Sequence, residues 1–483
     1  MSFFLALSNK NKMKMNSIHY IKLLLVIIFL TSCNVNRLPD LQKTMNQLKD
    51  SSMVQNPITK IWENDPFLNK LIDSVVTRNL SYKLEYQQIQ IAKQQFVMGA
   101  SFLKPFTSLQ FNPNLRKFGK YTMDGVGNYD TQFSPNLSSA MKIPETLPDF
   151  PIGLQTNWEI DIWGKLTARK KAQALRYMST EEGYKWLKTQ LVAKTAIYYG
   201  ELVALDRELD ILNSNIEIQR KAVELVKIQK EAGVVNEMAV LQLEAQLENS
   251  RAQVSPLQSE IIAIENEIKL LLNDRNAVIK RTLMPIDSDF SKEYRSIHLD
   301  YLSQRSDVKQ AQLNLEAQIY DKESARLALK PSLVFSNFLG VQSFQPAYLF
   351  QLPASLSYQL MANISKPILN RGLLKADLAI AENKIKSFEM AYMQTLNNAF
   401  LEWDSNIKGL DLMNEQIKHK SKEVELNFNA IQTVGELFLT NKANYLEILT
   451  AQQNTLKSEL DLLEIYKKRW IYSVQLYKIL GGN

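Results

Sequence analysis

The sequence predicts a mainly α-helical fold with a few amphipathic β-strands, arranged as two copies of a helix, strand, strand, long helix, helix unit. Three observations support this fold class. The prolines are concentrated in two windows, the hydrophobic period changes inside those windows, and the two halves of the chain repeat each other. The 483 residues are 45% hydrophobic and 22% charged, a composition that excludes an ordinary bundle of membrane helices.

Proline placement separates the helical from the non-helical parts of the chain. Ten of the fifteen prolines lie in residues 105–151 and 331–367, and proline disrupts helix interiors. Residues 152–255 and 368–483 contain none and carry apolar residues at steps of three and four, which predicts amphipathic helices. The predicted elements are long helices over 165–230 and 373–438 and a return helix over 444–480.

The lengths of the two long helices constrain the fold. Each has 66 residues, which at ~1.5 Å per residue makes it roughly 100 Å long. No compact domain has room for such a helix, so the two are predicted to lie side by side in an elongated, coiled-coil-like arrangement. Pro256 is predicted to break the return helix of the first half, because proline cannot donate a backbone hydrogen bond.

Inside the proline-containing windows the hydrophobic period changes from 3.6 to 2. Apolar side chains at Ile152, Leu154 and Trp158 alternate with polar ones, which predicts a strand with one apolar and one polar face. Each window is therefore predicted to be a hairpin, with loops over about 120–151 and 341–353. The predicted strands cover about 106–118 and 152–162 in the first window and about 331–340 and 354–365 in the second.

The internal repeat is clearest where two helices are predicted to turn. Residues 233–242 align with residues 441–450, an offset of 208. Asn441 replaces Gly233 at the head of the second copy, and both residue types tolerate the left-handed backbone that ends a helix. The repeat divides the chain into a first unit at 33–272, a linker at 273–299 and a second unit at 300–483.

Four strands with an apolar outer face cannot stand alone in a bilayer. Their open edges would leave backbone N–H and C=O groups unpaired in hydrocarbon. The sheet is therefore predicted to be membrane β-structure that closes with other chains. Membrane barrels start at about eight strands, so the physical argument allows two, three or more copies.

The segment at 1–32 is predicted to be a secretory signal. Four lysines precede or flank an apolar run at 23–30, which is too short to span a bilayer. Cys33, the only cysteine, follows Leu30, Thr31 and Ser32 in a pattern that resembles the bacterial lipobox. This resemblance implies a diacylglycerol and an N-acyl chain on Cys33; the alternative is a lone buried cysteine behind an ordinary signal.

Several functions are disfavoured by composition. The net charge is +7, and without the four signal lysines it is about +3, too small and too evenly spread to predict nucleic-acid binding. His298 and His419 have no metal-ligand spacing. The sequence contains no phosphate-binding loop, nucleophile elbow or Cys/His pair. It predicts neither an enzyme nor a metal site or cofactor beyond the lipid.

Residues 158–166 (WEIDIWGKL) resemble the strand-to-helix signature of the outer membrane efflux protein family, the TolC-like proteins. Residues 366–372 are similar to that family's repeat of the same corner, and residues 443–453 resemble its second helical tip. The lipobox is similar to that of the family's lipoprotein branch. The resemblance covers about residues 33–480.

The resemblance implies a homotrimer in the outer membrane, with a twelve-stranded β-barrel continued by an α-helical barrel across the periplasm. Family members dock onto a periplasmic adaptor, the membrane fusion protein, and onto an inner-membrane pump, here expected to be of the RND type. The pump supplies the energy, so no catalytic residue is expected. The alternatives are the duct of a type I protein secretion system and, in another class, a periplasmic adaptor or structural coiled-coil lipoprotein.

The resemblance also assigns roles to three groups of residues. The strand–helix corners are expected to be structural, the helical tips to contact the adaptor, and an acidic residue near the second tip to narrow the periplasmic mouth. A solvated helix face is the alternative reading of that acidic position, since Thr450 stands where relatives often have a second acid. The residues are Trp158, Asp161, Gly164, Pro367 and Gly372 at the corners; Gly233, Val234, Asn441 and Lys442 at the tips; and Glu447 and Thr450 at the mouth.

Overall fold

A computed structural model describes residues 62, 65–139, 141–282, 299–369, 371–440 and 442–482, all within one unit, Pro57–Gly482. The predicted signal, Cys33, most of the linker and Asn441 lie outside the described residues. Among the described helices none is both long and apolar enough to cross a membrane.

In the described part of the first repeat, from Pro66 onwards, there are six helices and four strands. A pair of helices precedes the first strand, and three helices follow the last one. The elements are α1 (Pro66–Arg78), α2 (Leu80–Ser101), β1 (Phe106–Phe111), β2 (Asn114–Lys117), α3 (Met123–Phe133), β3 (Thr146–Asp149), β4 (Ile152–Ile160), α4 (Lys165–Glu231), α5 (Glu237–Ala252) and α6 (Val254–Leu272).

The second repeat has the same order of elements but lacks the inserted β2, α3 and β3 between its two main strands. It consists of α7 (Leu299–Leu302), α8 (Ser306–Leu327), β5 (Ser332–Val341), β6 (Leu356–Ser365), α9 (Gly372–Leu439) and α10 (Tyr445–Ile479). The long helices α4 and α9 contain 67 and 68 residues, close to the length predicted for each. The break before α6 lies at Gln253, three positions before Pro256, which therefore occupies the first helical turn, where a missing N–H leaves no helical bond unmade.

One part of the predicted first hairpin differs from the structure. The strand predicted over about 106–118 is two strands, because Pro113 lacks the N–H needed to continue the ladder. The predicted loop at 120–151 contains α3 and β3, and β3 pairs with β2 in a separate two-stranded sheet. The last strand of this window ends at Ile160, slightly earlier than predicted.

The main sheet has the strand order β1-β4-β5-β6, and all neighbours are antiparallel. The pairing of β4 with β5 joins the two repeats. The helices attached to these strands follow the same order, since α2 packs on α4, α4 on α8, and α8 on α9. β1 and β6 therefore form the two edges of the sheet, and α2 and α9 form the two edges of the helical layer.

The main core lies where α1, α4, α6 and α10 meet. Leu202, Ile268, Val474 and Leu476 are fully buried there. A second cluster lies at the far end of α4, where Val226 packs against α5. The sheet contributes almost nothing to either core, so its large apolar side chains remain outside the hydrophobic interior of the single chain.

Candidate functional site

The register of the main sheet sorts its side chains onto two faces. Leu154 lies opposite Leu109 on one side and Leu339 on the other, and Leu339 lies opposite Tyr358. Because side chains alternate along a strand, these rows extend into a single apolar face. Its apolar members are Leu109, Phe111, Ile152, Leu154, Trp158, Ile160, Leu333, Phe335, Leu339, Val341, Leu356, Tyr358, Leu360, Ala362 and Ile364, and one row across it is formed by Thr107, Thr156 and Asn337 with Leu360.

This apolar face is open to its surroundings. Tyr358 and Ile364 are each 73% exposed and Leu109 is 74% exposed, values expected of a surface that meets lipid rather than water. The opposite face is mainly polar and uncharged, with Glu159 as its carboxylate. It contains Ser108, Gln110, Gln155, Asn157, Ser332, Ser336, Ser357, Gln359, Asn363 and Ser365, with the apolar residues Phe106, Val334, Phe338 and Met361 among them.

The corner between β4 and α4 is built by two residues that the sequence singled out. Gly164 has φ +82°, a left-handed backbone that glycine adopts without strain, and it is the N-cap of α4. Asp161 accepts the backbone N–H groups of Leu166 at 2.9 Å and Thr167 at 2.8 Å, which lie in the first turn of α4. Trp158 donates its indole N–H to the carbonyl oxygen of Leu103 at 3.0 Å and ties the corner to the segment between α2 and β1.

Replacing Asp161 by alanine is expected to lower the free energy of unfolding by about 1–2 kcal/mol, because two N–H groups at the start of α4 lose their acceptor. The measurement is the thermal unfolding midpoint followed by circular dichroism. Asp161→Asn keeps one acceptor oxygen and should fall between the alanine variant and the unsubstituted protein. An unchanged unfolding midpoint of the alanine variant would contradict a capping role of Asp161.

The corresponding corner before α9 is made differently. Gly372 is the first residue of the helix and does not have a positive φ, and Arg371 precedes it without a side-chain cap. Pro367 lies in the irregular segment between β6 and α9. The two repeats thus share the position of the corner but differ in its bonding.

The two helical tips share a backbone hydrogen bond at equivalent positions. At the first tip, Gly233 has φ +69° and donates to the carbonyl of Lys230 at 3.0 Å, while the N–H of Val234 bonds to the carbonyl of Gln229 at 2.8 Å. These two bonds form a Schellman motif. At the second tip, the N–H of Lys442 bonds to the carbonyl of Leu437 at 2.8 Å, which is the counterpart of the Val234 bond in the second repeat.

The return helices begin with equivalent caps. Asn236 accepts the N–H of Ala239 at 3.2 Å, and Asn444, its counterpart in the second repeat, accepts that of Glu447 at 3.0 Å. The Glu447 carboxylate in turn accepts the Asn444 N–H at 3.3 Å, which completes a capping box. Thr450 is exposed and bonds to the carbonyl of Leu446. Glu447 therefore has a structural task at the start of α10, and its role at a periplasmic mouth stays a prediction.

A half-buried group of charges that the sequence did not predict lies halfway along α4. Burial raises the pKa of Glu201 and Glu208 above its usual value. Lys467 acts in the opposite direction, while the carboxylates of Glu260 on α6 and Glu464 on α10 raise the pKa further. The regular spacing of the two glutamates along one helix was the only local signal, because the partners come from two distant helices.

The raised pKa of Glu201 predicts a pH-dependent effect of Glu201→Gln. A carboxyl whose pKa is raised by folding contributes stability that is present at low pH and lost as the pH rises through the folded-state pKa. The variant should therefore unfold at a higher temperature than the unsubstituted protein at pH 7, and the difference should shrink towards pH 4.

Glu217→Gln is the matched control for this pH dependence. Hydrogen bonds from Arg220 lower the pKa of Glu217, so its replacement should not raise the midpoint at pH 7. Equal pH profiles for the two variants would contradict the proposed origin of the effect.

The two-faced sheet, its continuation into very long helices and the duplicated tips define a membrane channel with a helical extension. The chain belongs to the outer membrane efflux protein family, whose model matches residues 136–274 and 300–482. The match begins after α3. The resemblance seen in the sequence is thereby confirmed, and the chain is a transport protein, an efflux channel of the outer membrane.

Individual relatives are similar along most of their length. The cation efflux system protein CusC of Escherichia coli strain K12 is 23% identical over 471 residues, covering 95% of this chain and 98% of CusC. The probable outer membrane lipoprotein SilC of Salmonella typhimurium is 22% identical, covering 87% of this chain and 88% of SilC. The crystal structure of the outer membrane protein VceC from Vibrio cholerae superposes with a TM-score of 0.76 at 20% identity, covering 86% of this chain and 96% of that one.

Proposed function

We propose that three copies of this chain close a twelve-stranded barrel in the outer membrane and continue it through the periplasm as a helical tunnel. The observation that carries this proposal is that, among the strands that the structure describes, β1 and β6 have no partner on their outer edges. In lipid such edges leave backbone groups without partners, so another copy must pair with each of them. The tunnel conducts substrates that a pump delivers from the inner membrane.

The helical layer supports closure at the same edges. On α2 the apolar side chains of Leu80, Leu84 and Met98 are 54%, 66% and 54% exposed. On α9 Leu373 and Ile380 are 67% and 52% exposed. Both helices thus present uncovered apolar residues where the single chain ends, and α2 of one copy can pack on α9 of the next.

The two sheet faces support the orientation of the barrel. With the apolar face towards lipid, the serine, asparagine and glutamine side chains line the lumen, which suits a water-filled passage. The carboxylate on this face, Glu159, is paired with Lys165 at 2.5 Å at the helical end of the sheet. The lipid that we propose on Cys33 would anchor the chain beside the barrel.

The closure of the barrel can be tested with engineered cysteine pairs. Leu109→Cys on β1 is combined in one chain with Tyr358→Cys, Leu360→Cys or Ala362→Cys on β6. Two strands separate β1 from β6 within a copy, at about 4.8 Å per strand spacing, so a disulfide within the copy is out of reach. Oxidation in membranes should give covalent trimers in at least one pair.

The control pair is Leu109→Cys with Leu154→Cys, whose residues face each other within one copy and should give only monomers. A second control is the chain with Cys33 alone. Trimers as the largest species support the proposal, whereas monomers in every β1–β6 pair, or ladders beyond trimers, contradict it.

We place the periplasmic adaptor at the two helical tips, and an RND-type pump beyond it. Val234 is 52% exposed, and Leu241 and Leu446 near the two tips are each 53% exposed, so apolar contact surface is available at this end of the helices. Val234→Asp is expected to abolish chemical crosslinking to the adaptor in cells without lowering trimer yield. Retained crosslinking would contradict a partner role of the tips.

The role proposed for Glu447 is to attract cations at the periplasmic mouth, where three carboxylates would converge on the trimer axis. Glu447→Gln keeps an oxygen that can accept the Asn444 N–H, so the cap is preserved. The reversal potential of the variant trimer in a planar bilayer under a salt gradient should shift towards lower cation preference. An unchanged reversal potential would assign Glu447 to the cap alone.

A further inference from the structure

The helix α3 turns its small and polar residues towards its own chain and its apolar residues outwards. A helix that packs on its own chain has the opposite arrangement. Its inner face carries Gly125, where an added Cβ would lie 2.1 Å from the carbonyl oxygen of Gly119. The same face carries Thr131, whose hydroxyl accepts the N–H of Ile143 at 3.2 Å. None of its residues is buried. The helix is thus held to its own loop by small and polar groups.

The opposite face of α3 is an uncovered stripe of apolar side chains, interrupted by the exposed Asp130. Met123, Val126, Tyr129 and Phe133 recur at steps of three and four, and they are 89%, 49%, 63% and 69% exposed. The rings of Tyr129 and Phe133 pack on each other, with centroids 4.9 Å apart. An amphipathic helix gains most of its stability from covering its apolar face, so this stripe requires a partner outside the single chain.

The loop between β5 and β6 is the second uncovered apolar surface at this end of the sheet. Residues 342–355 contain no charged side chain. Phe350 and Leu352 are 75% and 67% exposed. An uncharged apolar loop fits the apolar stripe of α3 better than it fits charged or phosphate-bearing groups.

The two loops are joined at their bases within one copy. The N–H of Phe150 donates to the carbonyl of Ser343 at 3.0 Å, and the amide of Gln342 donates to the Asp149 carboxylate at 2.9 Å. These bonds fix both loops at the same end of the sheet, yet both apolar surfaces remain exposed in the single chain.

Closure of the barrel supplies the missing partner. The segment with α3 follows the edge strand β1, and the other loop precedes the edge strand β6. When β1 of one copy pairs with β6 of the next, the α3 segment of the first copy lies beside the β5–β6 loop of the second. We propose that the apolar stripe of α3 packs on Phe350 and Leu352 of the neighbouring copy and clasps the trimer outside the membrane.

This inference rests on the proposed trimer, and the experiment separates the two. Tyr129→Cys and Phe350→Cys are placed in one chain and oxidised in membranes, alongside the β1–β6 pair that crosslinks the barrel. The matched control replaces Asn128, the half-buried neighbour on the inner face of α3, in place of Tyr129. We expect most of the Tyr129 variant to become a covalent trimer and the Asn128 variant to stay monomeric.

Two outcomes overturn the clasp. If the β1–β6 pair forms covalent trimers while the Tyr129/Phe350 pair gives monomers, the proposed α3 contact is wrong and the trimer is retained. Failure of both pairs removes the trimer itself. A second measurement locates the stripe. In vesicles with brominated lipid, the fluorescence that Tyr129→Trp adds to that of the unsubstituted protein, whose Trp158 lies on the apolar face, should not be quenched. Quenching of this added fluorescence would assign the stripe to the membrane surface instead.

Discussion

Replacing Asp65 by alanine is expected to lower the free energy of unfolding by about 3–5 kcal/mol. The lost helix N-cap accounts for about 1–2 kcal/mol, and the hydroxyl hydrogen bonds to a charged acceptor account for about 1.5–3 kcal/mol. The Asp65 side chain is 5% exposed and accepts four hydrogen bonds. Two come from the N–H groups of Phe67 and Leu68 at 2.9 and 3.0 Å, and two from the hydroxyls of Tyr199 and Thr282 at 2.7 and 2.8 Å. Alanine leaves all four donors without this acceptor.

The loss is large because Asp65 joins three parts of the chain. It caps α1, binds α4 through Tyr199, and binds the segment after α6 through Thr282. Burial raises the pKa of Tyr199 to about 12, so the phenol remains a donor throughout the neutral range. The measurement is the thermal unfolding midpoint of the purified protein, combined with the yield of folded protein in membranes.

Two variants calibrate this prediction. Asp73→Ala removes an exposed carboxylate from the same helix and should change the midpoint little, since surface substitutions usually stay within about 0.5 kcal/mol. Tyr199→Phe removes the hydroxyl that donates to Asp65 and accepts the N–H of Thr282 at 3.1 Å, and it should lower the free energy of unfolding by about 1.5–3 kcal/mol. A midpoint for Asp65→Ala equal to that of Asp73→Ala would show that the buried network does not hold these segments together.

Local signals in the sequence predicted much of this molecule. The bounds of α4 and α9 follow from uninterrupted periodicity, and the tips follow from residues whose preferences act over four or five positions. Asp161 and Gly164 could also be predicted from local signals, because a capping carboxylate and a left-handed glycine act on their immediate neighbours. The internal repeat read from the sequence reappears in the matching backbone bonds of Val234 and Lys442.

The parts that the sequence did not reveal depend on distant residues. Asp65 meets Tyr199 and Thr282 across 134 and 217 positions, and no periodic pattern encodes such a meeting. The helix α3 was hidden because it lies in a Pro/Gly/Asn-rich window and its apolar stripe faces away from its own chain. Glu447 could be a capping residue or a pore-lining acid, since glutamate suits both roles. The sequence does not distinguish them, whereas the structure shows the capping bond.

Replacing Gly200 by alanine is expected to lower the free energy of unfolding by about 3 kcal/mol. This value lies at the upper end of the range for overpacking, about 1–3 kcal/mol, and at the lower end of the range for losing a buried aromatic side chain, about 3–5 kcal/mol. An added Cβ would lie 2.1 Å from Nε1 and 2.2 Å from Cδ1 of Trp470. The indole cannot simply slide away, because its N–H donates to the carbonyl of Ala196 at 2.8 Å and its ring packs against the main core. The measurement is again the unfolding midpoint.

Gly435 offers the same substitution where space is available. It lies inside α9, where an added Cβ would meet no described heavy atom within 4 Å beyond the backbone of its own helix. Gly435→Ala should therefore be neutral or stabilise by up to about 1 kcal/mol through the higher helix propensity of alanine. In a Trp470→Ala background, Gly200→Ala should lose most of its cost, since the clash partner is gone and the two effects are coupled. Equal costs of Gly200→Ala in the two backgrounds would mean that the close approach of α10 to α4 does not depend on this glycine.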